Sequence, residues 1–161
     1  AEPFCPDLSS LLYNTASSIH QRVHNGGTFV TIEGPAFSTR AESNLYQQWG
    51  IDIIGMTTLQ EAKLSREAEI CYCAMAMVTD YDCWKEDGDQ VTVEAVIATL
   101  NKNSDLAKRI IRDVIPRISE SRHCICPNSL HNAIMTKPDA IPTEIRKKLD
   151  PIIGKYLDCS D

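Results

Sequence analysis

Apolar residues recur at helical spacing through Leu8, Leu11, Leu12, Ala16, Ile19 and Val23, which predicts an opening amphipathic helix. Asp7, following Pro6, is placed to cap it. His24-Asn25-Gly26-Gly27 breaks the pattern. Residues 28–32 are β-branched and aromatic and read as a strand, ended by Gly34-Pro35. Thr39-x-x-Glu42 is a capping box that predicts a helix over about 40–48. A second strand is expected over 51–56. Thr57 and Thr58, with Gln60 and Glu61 three residues after each, then open a helix that continues through 62–69. Residues 71–78 form an almost unbroken apolar run, the habit of a strand covered on both faces.

Beyond that run, Asp87-Gly88-Asp89 marks a turn. Val93, Val96, Ile97, Leu100, Leu106, Ile110, Ile111 and Val114 trace a long helix, with a break conceivable near Asn103-Ser104 and a stop expected at Pro116. Residues 121–128 read as a loop and 129–135 as a short helix. Thr143 caps a last helix with Ile145, Leu149, Ile152, Ile153 and Leu157 on one side. Helices alternating with strands imply an α/β class with a largely parallel sheet. Strands near 28–33, 51–56 and 71–79 are expected side by side, with Phe37, Met56, Asp80 and Asp82 converging at one end. Three strands leave sheet edges open, a first sign that part of the domain lies outside these 161 residues.

Composition narrows the function without naming it. Hydrophobic residues make up 43% and charged residues 24% of the chain, ordinary for a soluble globular domain. The net charge of −6 argues against a nucleic-acid surface. No apolar run reaches the roughly 18 residues of a membrane span. The opening Ala1-Glu2-Pro3 lacks signal-peptide character and an initiator Met, so a cytoplasmic chain with a processed or truncated start is expected. The seven cysteines are odd in number and several lie in apolar contexts, which favours a reduced protein over a disulfide framework.

Candidate chemistry gathers where strands end, since ligands of open α/β sheets collect outside the carboxyl ends of strands. Thr79-Asp80-Tyr81-Asp82 follows the buried run and puts two carboxyls at i and i+2; it reads equally as a ligand site and as a solvated turn or helix cap. Met56-Thr57-Thr58 meets a helix N-terminus, where an anion is favoured, though a plain N-cap accounts for it too. Phe37, after Gly34-Pro35, either faces a ligand or packs. Cys124-Ile125-Cys126 is two ligands short of a structural zinc site. Cys71 and Cys73 read as core, so no metal is expected.

Taken together, Ala1-Glu2-Pro3-Phe4-Cys5, Thr31-Ile32-Glu33-Gly34-Pro35, Phe37-Ser38-Thr39-Arg40-Ala41-Glu42-Ser43, Ile54-Gly55-Met56-Thr57 and Ala76-Met77-Val78-Thr79-Asp80-Tyr81-Asp82 resemble, in order, the 5'-methylthioadenosine phosphorylases of the purine nucleoside phosphorylase family. The resemblance covers most of the chain and is strongest over 31–97, and 130–157 looks like bacterial-type members. It implies a phosphorylase-like mixed sheet flanked by helices. Residues 1–161 would form the C-terminal part of a single phosphorylase domain that lacks its N-terminal half. It implies that Phe37 lines the purine pocket, Met56 lies under the ribose, and Thr57 binds phosphate. Thr79, Asp80 and Asp82 would recognise the base, with Asp80 and Asp82 catalytic, and Val93, Val96 and Ile97 would wall the 5'-methylthio group. The implied reaction is phosphorolysis of methylthioadenosine to adenine and 5-methylthioribose 1-phosphate, with phosphate as co-substrate, no cofactor and no metal. The implied assembly is a homotrimer, and nucleic acid or membrane partners are not expected.

That chemistry accounts for the residue types. Cleaving the glycosidic bond leaves a purine too basic to depart unaided, so a carboxylic acid near N7 would act as general acid, which requires a raised pKa. Asp80 suits an exocyclic amino donor, hence adenine over a 6-oxopurine, for which relatives place Asn. Ala36 and Gln60 depart from the family's usual larger polar residue and Pro. The glycine-rich phosphate loop and other phosphate ligands are expected in the absent half, so these residues alone are expected to be inactive. A phosphorylase of other nucleoside preference and a non-catalytic remnant or assembly partner are the alternative readings.

Overall fold

The computed structural model describes residues 2–20, 22–85 and 92–157. Helix α1 runs Pro6–Ile19. Cys5, not Asp7, occupies its N-cap position, and Asp7 lies in the first turn, where its charge faces the positive end of the helix dipole. The helix stops before Val23, at His20, whose backbone is extended. Strand β1 (Phe29–Thr31) and strand β2 (Ile53–Gly55) pair in parallel, Val30 opposite Ile54. Between them, α2 (Arg40–Gln48) starts on a complete capping box: Glu42 N–H bonds the Thr39 hydroxyl, and the Glu42 carboxylate accepts from Thr39 N–H. Helix α3 (Thr58–Glu67) follows β2 directly, and Leu59 N–H donates to Thr31 Oγ1 at 3.2 Å, fastening the helix start to β1.

The expected third strand does not form. Residues 71–79 carry no regular secondary structure, and only Val78 and Ala76 among 71–78 are exposed, the rest being half-buried. An extended segment becomes a strand only when a neighbour completes its ladder. Among the described residues one backbone–backbone bond reaches the run, from Cys5 N–H to Tyr72 C=O at 2.8 Å. The two-stranded sheet is thus narrower than the sequence pattern suggests.

Helix α4 (Val93–Val114) is continuous through Asn103-Ser104, because Asn103 turns its amide outward to Val78 C=O at 2.8 Å rather than against its own helix. Pro116 falls in a 3-10 turn at Ile115–Arg117. Cys126–Asn128 and Pro138–Ala140 are further 3-10 turns, and residues 129–133 form turns rather than the expected short helix. Helix α5 spans Thr143–Leu157. The Asp87-Gly88-Asp89 turn and Cys159 lie outside the described residues.

Two features hold the chain together. Helix α1 packs on α4, and Ala16, Ile110 and Val114 are buried. Around Glu69, which is 8% exposed, polar groups from distant segments meet. Its carboxylate accepts from Leu130 N–H at 3.1 Å and from the Tyr156 hydroxyl, and pairs with Lys155; its carbonyl accepts from Arg122 at 2.9 Å. Burial opposes the Glu69 charge, but the bonds from Lys155, Tyr156 and Leu130 outweigh it and hold the carboxyl below its ordinary value. Elsewhere the chain is open. Its accessible surface is 12353 Å², against roughly 8,000 Å² for a compact monomer of this size.

Candidate active site

Three chain segments meet at the carboxyl ends of β1 and β2. The loop after β1 turns at Gly34-Pro35, a cis peptide. A Cβ on Gly34 would come within 2.8 Å of Met56 Sδ, so glycine is what lets the loop lie against the Met56 side chain. Further along that loop, Ser38 Oγ donates to both oxygens of Asp82, at 3.0 and 3.2 Å. Cys83 N–H donates to Asp82 Oδ1 at 2.8 Å. The loop after β1 thus touches Met56 at Gly34 and Asp82 at Ser38, the latter on a segment that is not itself a strand.

Asp82 departs from the expected general acid. Its half-buried position disfavours charge, yet the nearby Ser43 hydroxyl and the hydrogen bonds from the Cys83 amide and Ser38 prevail and hold its carboxyl below the ordinary value. Ser43 projects from α2, 1% exposed; its hydroxyl stands beside the carboxylate without closing a bond of ordinary geometry. At neutral pH Asp82 is an acceptor in this arrangement. Neither Ser38 nor Ser43 was singled out from the sequence. The capping box that places both, one before it and one inside the helix, was the available signal.

The other candidates fall on exposed ground. Asp80 is exposed, and Thr79 Oγ1 donates to its Oδ1. Phe37 is 87% exposed on the loop. Val93 and Ile97 on the first turns of α4 are exposed, while Val96 is half-buried. Thr57 precedes α3, exposed, and its side chain makes no capping bond, which leaves the hydroxyl available to a ligand. Gln60 donates its side-chain amide to Met56 C=O at 3.2 Å, a contact a Pro would lack.

Residues 1–116 match the family model of the phosphorylase superfamily. The chain is 53% identical over 157 residues to the S-methyl-5'-thioadenosine phosphorylase of Geobacter sulfurreducens, covering 98% of this chain and 55% of that protein. It is 47% identical to the one of Koribacter versatilis, covering 97% and 53%. A methylthioadenosine phosphorylase crystal structure from an antarctic soil metagenomic library superposes with a TM-score of 0.85 at 39% identity, over 93% of this chain and 54% of that one. The Schistosoma mansoni methylthioadenosine phosphorylase in complex with adenine superposes with a TM-score of 0.70 at 32% identity, over 83% and 51%. The chain thus spans about half the length of the relatives it matches. With a parallel β1–β2 pair, helices beside it and a carboxylate at the strand ends, this chain belongs to the phosphorylase superfamily.

Proposed function

We propose that the complete protein cleaves 5'-methylthioadenosine with inorganic phosphate, releasing adenine and 5-methylthioribose 1-phosphate. The observation that carries this reading is the junction of Met56, the Gly34 loop and the Ser38–Asp82 pair at the strand ends. The names of the relatives from Geobacter sulfurreducens and Koribacter versatilis agree with it.

In this reading phosphate sits at the start of α3, where the free hydroxyl of Thr57 and the helix dipole favour an anion. Met56 lies under the ribose, and Phe37 closes on the purine. Val93, Val96 and Ile97 receive the alkylthio group. Asp80, beside Thr79, accepts from the 6-amino group. Asp82 begins as a carboxylate. As the base covers it, burial gains on the hydrogen bonds and its pKa climbs, so it takes up a proton from solvent and passes it to N7 of the departing purine. Phosphate is the nucleophile, and no cofactor enters. The complete protein is a homotrimer and resides in the cytoplasm.

The test is adenine release from methylthioadenosine by the full native chain, with and without phosphate. Phosphate-dependent release, lost in Asp82→Asn, supports the reading. Phosphate-independent release, or inosine preferred over methylthioadenosine, overturns it.

A further inference from the structure

Away from the strand ends, four cysteines from three distant segments converge. The Sγ atoms of Cys5, Cys71, Cys124 and Cys126 all lie within 4.8 Å of one another. Cys5 and Cys126 are buried and the other two half-buried. Cys71 Sγ and Cys124 Sγ are 3.5 Å apart. Ligands of a tetrahedral zinc ion at about 2.3 Å from the metal stand about 3.8 Å from each other, so this spacing is close to that of a coordination sphere. Mere packing of small apolar side chains does not require four sulfurs to face one point. The remaining described cysteines do not join them: Cys83 is exposed, and Cys73 Sγ accepts from Ser9 Oγ at 3.3 Å.

We propose that Cys5, Cys71, Cys124 and Cys126 form a structural tetrathiolate site for a thiophilic divalent cation, zinc above all. This revises the expectation of no metal, which took Cys124-x-Cys126 as two ligands short and Cys71 as a core residue. The two missing ligands come from the residue before α1 and from the segment after α3.

The surroundings fit a thiolate cluster. Arg66 stands close, donating to Ser129 Oγ at 2.9 Å and to Glu2 C=O, and its charge offsets an anionic site. A cavity of about 300 Å³ lined by Phe4, Arg66, His123, Cys124 and Cys126 offers an entry path. On binding, each thiol loses its proton to solvent and no electrons are exchanged. The ion would tie the residue before α1, the foot of the segment leading to Asp80 and Asp82, and the loop before α5. Closing such long loops through one centre is where a clip stabilises most.

The test uses the full native chain, produced in zinc-supplemented medium and purified with reductant and without chelator. One zinc per chain by elemental mass spectrometry, released on mercurial titration of the thiols, is expected. Cobalt substitution should give the absorption of a tetrahedral tetrathiolate. Cys83→Ser and Cys73→Ser should keep the ion, and Cys124→Ser with Cys126→Ser should lose it. If that double variant does not fold, Cys124→His, which keeps a ligand, should retain the ion with a cobalt spectrum shifted toward three sulfurs and one nitrogen. A wild-type chain without metal, whether its four thiols are free or two are joined as a disulfide, overturns the proposal, as does metal retained undiminished when Cys124 and Cys126 are both replaced. Neither outcome touches the phosphorolysis reading, which is measured by adenine release.

Discussion

The Glu69–cysteine region and the strand-end region sit on the same chain but are built differently. Around Glu69 a carboxylate is shut in and every group aimed at it comes from this chain: Leu130, Lys155 and Tyr156 bond the side chain, and Arg122 the carbonyl. Nearby, Arg66 joins Glu2 to Ser129, and four sulfurs meet. At the strand ends Asp82 is held by Ser38 and Cys83, but Phe37, Asp80, Val93 and Ile97 are left facing solvent. The first region closes its own interactions and so serves stability. The second spends few of its groups on the chain itself, which agrees with the proposed reading of it as a ligand site.

The largest effect expected from that contrast is loss of function without loss of the closed region. Residues 1–161 alone are expected to show no phosphorolysis, because Thr57 is the one phosphate ligand the family resemblance places here. Adenine release from methylthioadenosine, measured before and after adding the N-terminal half of a relative, checks this; robust turnover by the 161 residues alone would refute it. Next, Asp82→Asn in the complete protein should lower kcat/KM by about 10²–10³-fold, the loss typical of one preorganised polar group. Its melting temperature should stay near that of the parent, and a large drop in stability would show Asp82 to be structural.

Asp80→Asn should turn preference away from 6-aminopurine nucleosides and toward 6-oxopurines, since an amide can donate to O6. Unchanged preference in steady-state kinetics would remove Asp80 as the base reader. In the closed region, Glu69→Ala should cost about 1–3 kcal/mol by leaving the Leu130 N–H without its acceptor, seen in urea unfolding, with little change in KM.

The smallest effect is on pH. The Glu69 carboxyl titrates below its ordinary value in the folded chain, so its contribution is complete above that value and is lost as pH falls through the folded one. Lys155 is held above its ordinary value, chiefly by its bond to Glu69, so its share is intact below the lysine range and is lost only as pH rises past it. Acid titration of stability should therefore show a step in wild type that Glu69→Gln lacks, while neutral to mildly alkaline pH leaves both unchanged. A step of equal size in the variant would assign it to other carboxyls.

Some of this was legible in advance because the interactions are short in sequence. The box at Thr39 and Glu42, the β1–β2 pair separated by one helix, and the apolar period of α4 all close within a few residues or one crossover. The opening helix was read too long, to Val23, because apolar spacing continues past His20 although the backbone does not. That Ser38 and the Cys83 amide would hold Asp82, and lower its carboxyl, was not legible, because Ser38 lies 44 residues away along the chain.

By itself the sequence determined that α2, α3, α4 and α5 are helical, where β1 and β2 lie, and that carboxylates follow the long apolar run, since local hydrogen bonding, caps and periodicity decide these. Only the tertiary structure decided whether 71–79 is a strand, because a ladder needs a partner and the pattern names none. It likewise decided that Glu69, in an unremarkable helix end, would be the charge on which Tyr156, Lys155 and Leu130 converge. And it alone put Cys5 beside Cys71, Cys124 and Cys126, for a contact between residues so far apart along the chain is set by how the segments pack, not by any spacing a sequence displays.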